Sequence, residues 1–184
     1  RRVLFRSIDK LKLKHSFFPK NLATDEYPYD KLVHGYHMRD TFLQKTDITN
    51  FSLSWANSAG AIISNTNDIN TYVQALFTPG QILSASQIEK LKTSEPGIIV
   101  NDGDLFTIYY GLGIGKLHDK KMNEDSYEYQ GSTFGFMFTY WYFPARSLNV
   151  VLTYNSAVTD DNEQSAGFIY NTIVPKIFKT KCNW

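Results

Sequence analysis

Residues Tyr129 to Ser156, YQGSTFGFMFTYWYFPARSLNVVLTYNS, decide how this chain folds. Gly131 and Gly135 flank the small polar pair Ser132 and Thr133, and an aromatic run follows. A glycine inside a strand marks a place where another backbone or a ligand comes close. Phe134, Phe136, Phe138, Tyr140 and Tyr142 then alternate with Thr139, Trp141 and Phe143, the period-two pattern of a strand with two faces. Core packing accounts for so many rings. A second reading, an aromatic surface that stacks sugars, requires Trp141 or Tyr142 to be exposed.

The alternation predicts a strand over 134–143, turned by Pro144 to Ser147 into a second over 148–154. Further strands are expected near 105–117 and 126–130, with Gly111, Gly113 and Gly115 of YYGLGIGKL continuing the first of them. Upstream the period changes to that of a helix. Ile69, Tyr72, Val73, Leu76 and Phe77 fall on one face over 67–77, with Asn65 or Thr66 as cap and Asp68 in the first turn. Ser84 and Gln87 have capping-box spacing, so a second helix starts after Ser84. Residues 8–36, broken by Pro19 and Pro28, read as loops and turns. A last helix over 161–178 carries Ala166, Ile169, Ile173 and Ile177 on one stripe, with Pro175 expected to kink or end it. This order predicts an α+β chain: an antiparallel sheet covered by helices.

The 184 residues carry 19 basic and 18 acidic side chains, a formal net charge of +1, so no strong field draws nucleic acid or an anionic membrane. No apolar run reaches the roughly 18 residues that span a bilayer. Cys182 is the single cysteine, and His15, His34, His37 and His118 form no ligand-like register with each other or with a carboxylate. Neither a metal nor another cofactor is expected. The glycines of 111–115 precede no helix, which excludes a phosphate loop. Ser132 in GSTFG misses the G-x-S-x-G elbow by one position and enters a strand.

Ser7 and Lys10 match S-x-x-K, but Ser7 lies within RRVLFRS, residues 1–7. That string resembles the translation of a short-read sequencing adapter. Residues 1–7 are therefore expected to be non-native, and the fold is expected to begin near Ile8.

Three blocks carry a family resemblance: LKLKHSFFP (Leu11 to Pro19), SWANSAGAIISNTNDINTYVQALF (Ser54 to Phe77) and YQGSTFGF (Tyr129 to Phe136). In the same order they are similar to L-G-M-x-x-T-x-F-P, to A-G-x-x-S-T-x-x-D-x, and to K-T-G-S-T-G-G-F or H-T-G-x-x-x-G-F. These belong to the penicillin-recognising serine hydrolases, especially class C β-lactamases, D-alanyl-D-alanine carboxypeptidases and related esterases. The resemblance implies a partial β-lactamase/transpeptidase-like fold, with residues 8–184 as the carboxyl-terminal part of one domain. It implies hydrolysis of an amide or ester through an acyl-serine, the nucleophile lying in an S-x-x-K helix upstream of Leu11. Residues 8–184 alone are then expected to be inactive.

By the same resemblance, the Ser132 backbone N–H belongs to an oxyanion hole and Gly131 lets substrate lie against the strand. Tyr129, Gln130, Gly131 and Asn155 would bind substrate, Asn155 having a second reading as a strand-end cap. The sequence departs from the family where Tyr129 and Gln130 replace Lys or His and Thr or Ser. A tyrosine is neutral at pH 7 and brings no positive charge for a substrate carboxylate. The implied partner is a small-molecule or peptide acyl substrate, and the implied location periplasmic or secreted. The alternative is a non-catalytic relative that binds peptidoglycan or another ligand.

Overall fold

Asn65 starts the element on which the main sheet rests. Its side-chain oxygen accepts from the Asp68 N–H at 2.9 Å and caps α2 (Thr66–Phe77). The computed structural model describes residues 2–18, 32–37, 46–51, 54–93, 98–102, 106–157 and 166–179. These divide into two compact units. The first comprises Arg1–Glu26, Ser52–Gly131 and Phe138–Thr153, and the second Tyr27–Phe51, Ser132–Met137 and Tyr154–Trp184.

The first unit contains α1 (Arg2–Leu11), α2, α3 (Ala85–Lys92) and most of a six-stranded sheet. The strands run in sequence order: β3 (Ile98–Asp102), β4 (Phe106–Tyr110), β5 (Gly115–Asp119), β6 (Glu124–Ser132), β7 (Met137–Phe143) and β8 (Leu148–Tyr154). Such a meander follows from short connections, which favour antiparallel neighbours. The capping box at α3 is formed as its spacing predicts: Gln87 N–H donates to the Ser84 hydroxyl at 3.3 Å and Ser84 N–H to Gln87 Oε1 at 2.9 Å.

Phe77, the last residue of α2, stacks on Tyr142 at 4.3 Å between ring centres and tilts against Tyr127 at 5.5 Å. Val73, Ile88, Ile114 and Tyr140 complete this buried cluster, with Phe138 packed beside it. One face of β7 is thereby committed to the helices. Thr139, Trp141 and Phe143 on the other face are buried just as fully. Trp141 is thus enclosed and Tyr142 lies against Phe77, so the sugar-stacking surface is not present.

Asp68 ties a more distant segment to α2. Its Oδ2 accepts from the Ser16 hydroxyl and from the His15 N–H, both at 2.8 Å, and Ser16 meets Ser64 at 2.7 Å. A Phe17–Ile63 bridge runs alongside. The first two sequence blocks are joined by this buried carboxylate, and Phe77 joins the end of the second to β6 and β7 at Tyr127 and Tyr142.

Four sequence expectations change. The strand expected over 105–117 is a hairpin, β4 and β5, because Gly113 takes φ +79 and Gly111 N–H donates to the Ile114 carbonyl at 3.1 Å. The strand expected from 134 begins at Met137, residues 134–136 forming a turn. Residues 8–11, expected as loop, complete α1, in which Ser7 is buried and Lys10 exposed. The last helix, α4 (Ala166–Lys179), does not end at Pro175. Pro175 forfeits one helical hydrogen bond, to the carbonyl of exposed Asn171, while its neighbour Val174 is fully buried. β3 was not anticipated. The expected helix residues 161–165 lie outside the described residues.

The second unit contains a small sheet of order β2-β1-β9, with β1 (Tyr36–His37) antiparallel to β2 (Thr46–Asp47) and parallel to β9 (Ser156–Ala157). It also contains α4. No helix among the described residues is long and apolar enough to cross a membrane.

Asp68→Ala would leave the Ser16 hydroxyl and the His15 N–H short of a buried acceptor. A loss of about 2 kcal/mol is expected, read as a lower urea midpoint. A change below roughly 0.5 kcal/mol, the size of an ordinary surface substitution, would contradict the role given to this carboxylate.

Candidate functional site

The end of β6 presents Tyr129, Gln130 and Gly131 in immediate succession. Their side chains alternate across the sheet. Tyr129 lies 6.3 Å from Phe138 between ring centres and keeps 36% of its surface exposed. A Cβ on Gly131 would come within 2.7 Å of the Phe138 ring, so β7 fills the place a side chain would take. Tyr129 and Gln130 line an open depression of about 340 Å³ with Ile108, Tyr110 and Glu128. Burial pushes the Glu128 carboxyl and the Tyr110 hydroxyl up from their ordinary values.

Ser132 is exposed and ends β6, and the chain turns at once. Thr133 N–H donates to the Phe136 carbonyl at 2.8 Å, closing the turn. Within the second unit this turn is held at three points. His37 Nδ1 lies 2.9 Å from the Phe134 carbonyl oxygen, which can only accept, so Nδ1 carries the proton. The Phe134 ring packs edge-on against His37 at 5.9 Å and Phe51 at 5.5 Å. The Phe136 ring lies over Gly35, where any Cβ would overlap it, and a Cβ on Gly135 would come within 2.6 Å of Ile48.

Asn155 is placed by β1. Its Nδ2 donates to the His34 carbonyl at 2.9 Å and its own carbonyl accepts from Tyr36 N–H at 2.9 Å. The side-chain amide thus joins two neighbouring chain segments of the second unit, while the residue itself is exposed. Among the predicted residues, Tyr129 and Gln130 share one depression, Gly131 adjoins them along β6, and Ser132 and Asn155 belong to the other unit.

Several solved structures share the fold. A D-stereospecific amidohydrolase from Streptomyces sp. superposes with a TM-score of 0.64 at 21% identity, over 88% of this chain and 46% of that one. The octameric penicillin-binding protein homologue from Pyrococcus abyssi gives 0.64 at 20% identity, over 82% and 32%. A β-lactamase/D-alanine carboxypeptidase from Pseudomonas syringae gives 0.59 at 15% identity, over 90% and 50%. This is part of the β-lactamase/transpeptidase fold. The chain spans half or less of the length of these three proteins. No family model matches the sequence.

Sequence reasoning missed several groups in this β-lactamase-like frame. Glu128 and Tyr110 are 18 positions apart in sequence and reach one depression only through the register of β4, β5 and β6, in which Tyr110 pairs with Gly115 and Gly115 with Glu128. No motif signals such a pair. Asp47 and Thr49 were missed as well: Asp47 Oδ1 accepts from the Thr49 N–H at 2.9 Å and from its hydroxyl, and Oδ2 meets His34 Nδ1 at 2.6 Å. Thr49 Oγ1 in turn accepts from Gly35 N–H at 3.0 Å. The D-x-T spacing of Asp47 and Thr49 is a local turn signal that could have been read.

The Thr49 hydroxyl first, then the Thr49 N–H and His34, lower the Asp47 carboxyl from 3.8 to about 2. Because the folded value is depressed, this network contributes stability above the ordinary value and loses it as pH falls from 3.8 towards about 2. Asp47→Asn is expected to remove that part of the acid unfolding limb. An NMR titration in which the Asp47 carboxyl protonates at its ordinary value would contradict the network.

Proposed function

We propose that the chain is the carboxyl-terminal part of a serine acyl hydrolase that cleaves an amide or ester through an acyl-serine. The nucleophile comes from sequence preceding these residues. The observation that carries this reading is the end of β6: a strand closed by Gly131 and Ser132 and followed by a turn braced by His37, Phe51 and Gly35. An oxyanion hole needs a backbone donor that does not move while charge develops, and bracing of the following turn supplies such rigidity to Ser132 N–H. Gly131 keeps the strand surface low beside it. The named neighbours include an amidohydrolase and a β-lactamase/carboxypeptidase, and this chain covers about half of each, which agrees with a partner half that brings the reactive serine.

Tyr129, Gln130 and Gly131 are then the substrate-binding strand, with Asn155 supporting the segment that follows β8. Tyr129 and Gln130 bring no positive charge, which turns preference away from substrates held by a carboxylate. The same pair supports a second reading, a non-catalytic relative that binds peptidoglycan or another ligand.

The full-length protein, treated with a fluorophosphonate and with a fluorescent penicillin, distinguishes the two. The hydrolase reading expects fluorophosphonate labelling of one serine outside these residues and little or no penicillin labelling. No labelling by either reagent, together with an upstream sequence lacking S-x-x-K, would leave the binding protein.

A further inference from the structure

We propose that the depression lined by Ile108, Tyr110, Glu128, Tyr129 and Gln130 binds an organic ammonium group. Glu128 has neither an ion pair nor a hydrogen bond among the described residues. Lys116, on β5, holds Asp125 at 2.9 Å, and Arg146 holds Glu124 at 2.9 Å. A half-buried carboxylate without a counter-charge is costly, and a ligand that supplies the charge recovers that cost.

The room for this carboxylate is made by a glycine. Gly115 pairs with Glu128 across β5 and β6, and a Cβ at 115 would overlap a Glu128 carboxylate oxygen and stand 3.0 Å from Cδ. Tyr110, 40% exposed, shares the face of Glu128 through its register with Gly115. Aromatic faces beside a carboxylate favour a cation that is weakly hydrated and organic. A metal ion is poorly matched, since Ca²⁺ takes about six to eight oxygens and Glu128 is the lone carboxylate of the lining among the described residues. A carboxylate ligand would meet like charge.

At about 340 Å³ the depression suits one small substituent, an aminomethyl or α-amino group with a short apolar flank. The substrate class that follows is an acyl compound bearing a free amine, such as an aminoacyl amide or ester. That assignment rests on the acyl-hydrolase reading above, whereas ammonium binding does not.

The test titrates benzylammonium, benzyl alcohol and benzoate into the chain and follows the Glu128 carboxyl and the Tyr110 ring by NMR. Benzylammonium is expected to give saturable shifts, and the other two none. Glu128→Gln, which preserves size, should weaken binding at least about tenfold, and Tyr110→Leu severalfold with Glu128 intact. Equal shifts with benzyl alcohol, unchanged affinity in Glu128→Gln, or no saturable shift would overturn the proposal. Ammonium binding by a protein whose full-length form carries no fluorophosphonate-reactive serine would keep the site and remove the hydrolase reading.

Discussion

Phe77 lying between Tyr127 and Tyr142 is the contact on which the rest of the first unit depends. It closes α2 onto two strands at once, and aromatic pairs of this kind contribute about 0.5–1.5 kcal/mol beyond the area they bury. The helix it terminates is fixed at its other end by Asp68, which reaches back to Ser16 and His15. One helix therefore sets the position of the amino-terminal segment and of β6 and β7 together. Burial first, then the charges of Asp125 and Glu89, push the Tyr127 hydroxyl up to about 12.

Beyond Tyr127 the character of β6 changes. Tyr127 is buried, Tyr129 is partly exposed, and Ser132 is exposed, so the strand emerges from the core as it approaches its end. The turn that follows has its own support in His37, Phe134, Phe136 and Gly35. The depression beside Tyr129 differs in kind: among the described residues Glu128 has no partner there, and its neighbours are partly exposed.

What the sequence made legible followed periodicity and caps. α2 and α3 were readable because Asn65 and Ser84 cap them and their apolar spacing is regular, and β7 and β8 because alternation and Pro144 delimit them. The β4–β5 hairpin was not, because apolar and small residues continue across Gly111 to Gly115 and only the positive φ of Gly113 reveals the turn. Phe134 and Phe136 kept the alternation of a strand while serving a turn, so the period misled there. The candidate residues Tyr129, Gln130, Gly131 and Ser132 were proposed from one contiguous block that resembles the family motif. Glu128 with Tyr110, and Asp47 with His34, are paired by register and by tertiary contact, and neither leaves a pattern in one sequence.

α2, β6 and β7 form one cooperative core through Phe77. Native-state hydrogen exchange of the chain in increasing denaturant measures this directly. Amides of Val73 to Phe77 in α2 and of Thr139 to Phe143 in β7 should share one opening free energy, equal to that of global unfolding. Loss of α2 protection in mild denaturant while β7 retains it would contradict this, because the helix would then not hold the strand.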